Sequence, residues 1–176
     1  RLLSSFIEFS RVRLHERTVV DLVDIVEEAV DVVRQHPEAG GAAGVRIEAA
    51  PVSVEGDPDL LHRVVFNLVL NAVQHSPPDA AVEVAVGPIA DHELPPGVDF
   101  TAAAVIEVTD RGAGIEPEHL GRVFDPFFTT REHGSGLGLA LVHRGLEAHG
   151  GIVVIDSVAG EGTTFSVYLP RQLEEA

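Results

Sequence analysis

The stretch from Asp110 to Leu139, DRGAGIEPEHLGRVFDPFFTTREHGSGLGL, constrains this chain more than any other. It begins at the end of an apolar strand pattern, Ala104-Val105-Ile106-Glu107-Val108, with Asp-x-Gly-x-Gly. It closes with Gly134-x-Gly136-x-Gly138 at the start of a helical pattern. A carboxylate on a strand end accepts a hydrogen bond from an exocyclic amine, and Gly112 and Gly114 let the backbone turn close to a flat ring. Glycines just before a helix expose backbone N–H groups where the macrodipole also favours an anion. One end therefore suits a base and the other suits phosphates. The glycines alone are equally the pattern of a surface loop that runs into a helix, and their spacing is not the dinucleotide fingerprint. A Walker-type loop is excluded, because it needs a Lys and all 12 basic residues are Arg.

A second feature lies upstream. Asp57-Pro58 is a helix start, and Leu61, Val65, Leu68 and Ala72 of LLHRVVFNLVLNAVQH fall at helical spacing before Ser76-Pro77-Pro78 stops the run. Arg63, Asn67, Asn71 and His75 repeat every fourth residue and share one stripe. Asn is a poor helix former, so two of them inside an apolar helix need a purpose. One is a hydrogen bond to a neighbouring loop. The other is a hard carbonyl oxygen for Mg²⁺, which takes the rest of its shell from water and phosphates.

Together Asn67-x-x-x-Asn71-Ala72, Asp110-Arg111-Gly112-Ala113-Gly114-Ile115, Phe124-Asp125-Pro126-Phe127-Phe128-Thr129-Thr130 and Gly134-Ser135-Gly136-Leu137-Gly138-Leu139 resemble the catalytic, ATP-binding domain of bacterial sensor histidine kinases. They correspond in order to that family's N box, first glycine box, F box and second glycine box. The resemblance runs from about Val19 to Pro170, and the F box looks most like the nitrogen-regulation and dicarboxylate-sensing type.

The resemblance implies ATP and Mg²⁺ as ligands. It gives Asp110 to the adenine amine, with Gly112, Gly114 and Ile115 beside the ring and the Thr163 hydroxyl on the same side. Asn71 would coordinate the metal, with Asn67 near the phosphates and Gln74 and His75 on the next turn. Gly134, Ser135, Gly136, Leu137, Gly138 and Leu139 would hold phosphates, and Phe124, Thr129 and Thr130 would belong to a lid over them. Asn67, Asn71 and Arg131 are the expected catalytic residues. ATPases of the same superfamily place a general-base Glu where this chain has Asn67, and an amide takes no proton from water at neutral pH. Intrinsic hydrolysis should be slow, and the γ-phosphoryl group goes instead to an imidazole supplied by a dimerisation hairpin, for relay to a response regulator.

Three positions depart from the family. Gln74 stands where Lys or Arg is common, and His75 where an aromatic residue is common. Arg131 replaces a common Lys, and either serves the γ-phosphate or is an exposed lid residue. The alternatives are a nucleotide-binding interaction module without activity, or an ATPase or serine kinase of the same superfamily.

At 176 residues the chain can bury one sizeable core and a short appendage. It contains no Met, so it is expected to be a piece of something longer, and no Cys, which removes disulfides and thiol chemistry. A net charge of −16 argues against a nucleic-acid partner. No apolar run reaches membrane-spanning length, so no membrane contact is expected and a cytoplasmic setting is.

Residues 1–17 read as the end of a hairpin helix plus linker, with Leu2, Phe6, Phe9 and Arg13 at helical spacing and His15-Glu16 as a solvated exit. Residues 18–173 read as the catalytic domain and 174–176 as a tail. Thr18 is placed as the cap of a helix over Val19 to Gln35, with Leu22, Ile25, Val26, Ala29, Val30 and Val33 inward. Short strands follow at Val45–Glu48 and Val52–Asp57. Val82, Val84 and Val86 alternate as a strand, and Gly87 to Gly97 reads as a loop. Leu137 to His149 reads as a helix, with final strands at Ile152–Ile155 and Phe165–Leu169. Helices alternating irregularly with strand pairs predict a two-layer α/β sandwich, helices on one face of a mixed sheet. The resemblance implies the same Bergerat-type ATP-binding fold, and homodimers of the full-length protein through its hairpin.

Overall fold

The computed structural model describes residues 3, 7, 10, 16–39, 44–131 and 134–172. Strand β1, Thr18–Asp21, leads into helix α1, Leu22–Arg34, and strands β2, Val45–Ala49, and β3, Ser53–Gly56, precede helix α2, Pro58–His75. Strands β4, Val82–Ile89, and β5, Ala103–Asp110, are followed by helix α3, Gly138–Ala148, and by β6, Ile152–Val158, and β7, Gly162–Pro170.

The main sheet has the order β2-β4-β5-β7-β6, parallel at β2–β4 and antiparallel elsewhere, so it is mixed as expected. Its strands alternate. Val84 and Val86 of β4, Ile106 and Val108 of β5, and Phe165 and Val167 of β7 enter the core, while Glu83, Glu107 and Ser166 face away from it. The three helices cover the apolar face, and their inward residues complete one core, giving the two-layer α/β sandwich.

Several boundaries differ from the sequence-based expectation, and the last two strands run longer than expected, Ile152–Val158 and Gly162–Pro170, so that Thr163 and Thr164 lie in β7. Thr18 does not cap a helix: residues 18–21 pair antiparallel with β3, Val20 opposite Val54, in a separate two-stranded sheet. A β-branched pair with a strand partner outweighs helical periodicity here, and the helix starts where Asp21 accepts from the N–H groups of Val23 and Asp24. The inward set of α1 is nevertheless the one expected. At Gly87 the strand does not end, because Gly87, Pro88 and Ile89 keep their pairing with Val105, Ala104 and Ala103. Of the hairpin-helix pattern, Leu2, Phe6, Phe9, Arg13 and His15 lie outside the described residues. No helix of the described residues is long and apolar enough to cross a membrane.

Candidate nucleotide-binding site

Three elements converge on one cavity of about 1010 Å³: the outer stripe of α2, the end of β5, and the segment running from Asp110 into α3. Its size is at the upper end of ligand sites in general, roughly 300–1,000 Å³. Helix α2 is held by Asp57, whose carboxylate accepts from the Asp59 and Leu60 N–H groups, and by Pro58 in the first turn. Its inward face, Leu61, Val64, Val65, Leu68 and Ala72, is buried, which turns Arg63, Asn67, Asn71 and His75 toward the cavity.

At one end Asp110 closes β5, opposite Thr163 of β7, and is only 4% exposed. Its Oδ1 accepts the Gly112 N–H at 2.9 Å. Burial pushes its carboxyl pKa up, against the pull of the Gly112 N–H, nearby His75 and the Thr163 backbone. A side chain at Gly112 would collide with the His75 carbonyl, so the turn after β5 packs directly on the last turn of α2. Burial also lowers the His75 pKa; Asp110 opposes this and the Arg131 guanidinium reinforces it. The Ser157 hydroxyl accepts the Ile115 N–H at 2.8 Å and meets the Thr163 hydroxyl at 2.8 Å, tying this turn to β6.

At the other end α3 starts without a side-chain cap, since Leu137 supplies none. The first-turn amides that Asp21 and Asp57 satisfy in α1 and α2 meet no capping side chain here. Gly136 has φ +70° and stacks on Phe127, whose N–H donates to the Gly136 carbonyl at 2.8 Å. Asn67 donates from Nδ2 to the Arg63 carbonyl at 2.8 Å. Its Oδ1 then faces Gly138, 3.0 Å from where a Cβ on that residue would stand. The Asn71 side chain makes no hydrogen bond among the described residues, and the residue is only partly buried at the cavity wall.

The cavity brings together Asn67, Asn71, Gln74, His75, Asp110, Gly114, Ile115, Thr129, Thr130, Arg131, Gly134, Ser135, Gly136, Leu137, Gly138, Leu139 and Thr163. Gly112 and Phe124 stand behind its wall. Phe124 packs edge-on to the core residue Phe165, ring centroids 6.3 Å apart, and against His143. Of the lid aromatics, Phe128 lines the cavity under the Arg122 guanidinium, 4.7 Å from its centroid, while Phe127 is 53% exposed. The sequence singles out Arg131 and Gln74 separately; the structure joins them, Arg131 Nη1 donating to Gln74 Oε1 at 2.6 Å. Val32, His36, His62 and Phe66 extend the wall past Asn67 and carry no motif. His62 and Phe66 have as their signal only a place on the stripe of α2 next to Arg63 and Asn67, while Val32 on α1 and His36 just after it have none.

A buried carboxylate at one end, uncapped helix amides at the other and two asparagines between them define a nucleotide-binding domain on an α/β sandwich. The family described as histidine kinase-, DNA gyrase B-, and HSP90-like ATPase matches residues 56–173, and the chain belongs to it. It is 32% identical over 172 residues to sensor histidine kinase ZraS of Salmonella typhimurium, covering 97% of this chain and 35% of that protein. The chain thus spans about a third of the length of that relative. The mycobacterial sensor histidine kinase MprB superposes with a TM-score of 0.70 at 30% identity, over 90% of this chain and all of that one. Full-length ShkA in complex with AMPPNP superposes with a TM-score of 0.74 at 24% identity, over 99% of this chain and 36% of that one, a likeness of fold. The chain is an ATP-binding catalytic domain of the sensor histidine kinase type.

Proposed function

We propose that this domain binds ATP with the adenine at Asp110 and the phosphates between the α2 asparagines and the start of α3, and transfers the γ-phosphoryl group to a histidine on a dimerisation hairpin. Residues 1–17 would be the close of that hairpin, residues 18–173 the catalytic domain and 174–176 a tail. A response-regulator receiver would take the phosphoryl group next. The observation that carries this reading is the polarity of the cavity, with a buried carboxylate acceptor beside His75 and an uncapped helix start facing Asn67.

Asp110 selects the base by accepting from an exocyclic amine, while Gly112 and Gly114 let the backbone lie against the ring. The amides of Gly138 and Leu139 take phosphate oxygens in the field of α3. Asn71 fits a Mg²⁺ ligand, because its amide oxygen is hard, reaches the cavity and is not committed to a hydrogen bond. Bound there, the metal would neutralise charge on the phosphates. Among the described residues no cluster of three or more His, Cys, Asp or Glu could hold a metal ion, so such a cation depends on asparagine oxygen and the nucleotide itself. Asn67 cannot act as a base, which leaves positioning and charge stabilisation as the domain's contribution.

The test is isothermal titration with ADP and a non-hydrolysable ATP analogue, followed by phosphotransfer to a supplied phosphoacceptor hairpin. Binding to the wild type with transfer to histidine is the expected result. Binding without transfer would favour the interaction-module reading, and rapid hydrolysis in the absence of the hairpin would favour the ATPase reading.

A further inference from the structure

We propose that Arg63 is a further catalytic residue of this domain, the guanidinium that binds the terminal phosphoryl oxygens of the nucleotide. The inference rests on the nucleotide orientation set out under Proposed function.

The direction of the site follows from α2. His75, beside Asp110 and Gly112, marks the base end. Arg63, on the same stripe and also on the cavity wall, lies twelve positions earlier, about 18 Å along the axis at 1.5 Å per residue. Asn71 and Asn67 lie between. A ligand extended from Asp110 along this stripe has its far end at Arg63.

Donors for that far end are few. Asn67 spends its Nδ2 on the Arg63 carbonyl, so toward Gly138 it presents an acceptor, which repels a phosphoryl oxygen. Two arginines line the cavity among the described residues, Arg63 and Arg131. Arg131 is bound to Gln74, one residue from His75, and therefore sits at the base-proximal turn. Arg63 is exposed, and its guanidinium makes no ion pair or hydrogen bond among the described residues. Of these two cations, in a chain of net charge −16, it is the one at the far end.

A planar guanidinium with five N–H donors suits the equatorial oxygens of a phosphoryl group, over which charge spreads during transfer. In that step the bond from the γ-phosphorus to the bridging oxygen breaks, its electron pair leaving on ADP, and a phosphorus–nitrogen bond forms to the acceptor imidazole. Arg63 gives and takes no proton. It contacts only the group that moves, so ADP gains nothing from it.

The experiment compares this chain with Arg63→Gln, Arg63→Lys and Arg131→Gln by titration with ADP and with a non-hydrolysable ATP analogue, and by transfer to a supplied hairpin. The Asn67 bond goes to the backbone of Arg63, so the variants keep it. Arg63→Gln is expected to leave ADP affinity within about twofold, weaken the triphosphate about tenfold and slow transfer by at least that much. Arg63→Lys should recover part of both losses, and Arg131→Gln should weaken both nucleotides in similar proportion. Equal effects of Arg63→Gln on ADP and triphosphate, or unchanged transfer, overturn the proposal. A wild type that binds neither nucleotide overturns the site reading itself, an outcome distinct from either.

Discussion

The Nε2 of His149 accepts the backbone N–H of Asp57 at 2.9 Å, joining the end of α3 to the start of α2 across 92 residues of sequence. The other nitrogen, Nδ1, lies 2.7 Å from the Gly145 carbonyl. An amide donor on one side and a carbonyl on the other fit one neutral tautomer, with the proton on Nδ1. Burial lowers the pKa of this ring, more than the Gly145 carbonyl and Asp57 raise it. The folded state therefore binds fewer protons than the unfolded state in the acid range. Stability from this contact is present above the unfolded value of 6.5 and declines as pH falls below it toward the lowered folded value. His149→Asn should cost about 1–3 kcal/mol at pH 7.5 and flatten the fall in melting temperature between pH 7 and 5. Thermal melts of both proteins across that range check it; parallel pH curves would show that another group is responsible.

Gly56 supplies an independent handle on the same joint. A Cβ there would lie 2.7 Å from His149 Cδ2 and Nε2, so Gly56→Ala must displace the ring. We expect it to destabilise by about 1–3 kcal/mol in the wild type and by clearly less in a His149→Ala background. Denaturant titrations of the four proteins measure the coupling, and additive effects would count against it.

Base selection should follow from Asp110. Adenine presents an amine donor where guanine presents a carbonyl acceptor, and two acceptors facing each other are unfavourable. ADP should bind at least about tenfold more tightly than GDP. Asp110→Asn should lose ADP affinity and most of that preference, as titration with both nucleotides would reveal. Undiminished discrimination by Asp110→Asn would place the base elsewhere.

The inward faces of α1 and α2 are legible in the spacing of their apolar residues, because burial on one side of a helix imposes that spacing. Most of the motif residues meet in one cavity because three short stretches carry most of its wall. Pairings between distant residues that each look ordinary alone leave no such trace. Val19-Val20 continues a helical pattern until β3 offers it a partner. His149 is merely the residue before a glycine until Asp57 reaches it. Gln74 reads as a missing cation until Arg131 is seen to bind it, and Arg63 is one polar stripe position until the direction of the cavity gives it an end to occupy.

Phe127 combines exposure with a left-handed backbone, φ 68°, unusual for a bulky side chain. The conformation is held by its N–H bond to Gly136 and by a carbonyl-side contact that leaves no room for a side chain on Gly136. A ring kept outward at such a cost of order 1–3 kcal/mol suits docking against another surface, for which the phosphoacceptor hairpin is the natural candidate. Phe127→Ala should slow phosphotransfer while leaving ADP affinity nearly unchanged. Equal loss of both would assign the ring to nucleotide binding instead. Gly136→Ala, by contrast, should weaken nucleotide binding, because it forces apart the lid and the start of α3.

Metal dependence should rest on Asn71. Its side chain makes no hydrogen bond among the described residues, so truncating it leaves no orphaned partner and should change the melting temperature little. Its expected loss is specific. In Mg²⁺ buffer, Asn71→Ala should bind the triphosphate analogue about tenfold more weakly than the wild type does. With the metal chelated, the two proteins should converge, because the oxygen removed acts only through the cation. Asn67→Ala offers the contrast: its Nδ2 is committed to the Arg63 carbonyl and its Oδ1 faces Gly138, so whatever change in affinity its removal causes should be the same with and without metal. Titrations of the three proteins in Mg²⁺ and in chelator separate these roles, and a deficit in Asn71→Ala that survives chelation would make Asn71 a direct phosphate contact and leave the metal to other oxygens.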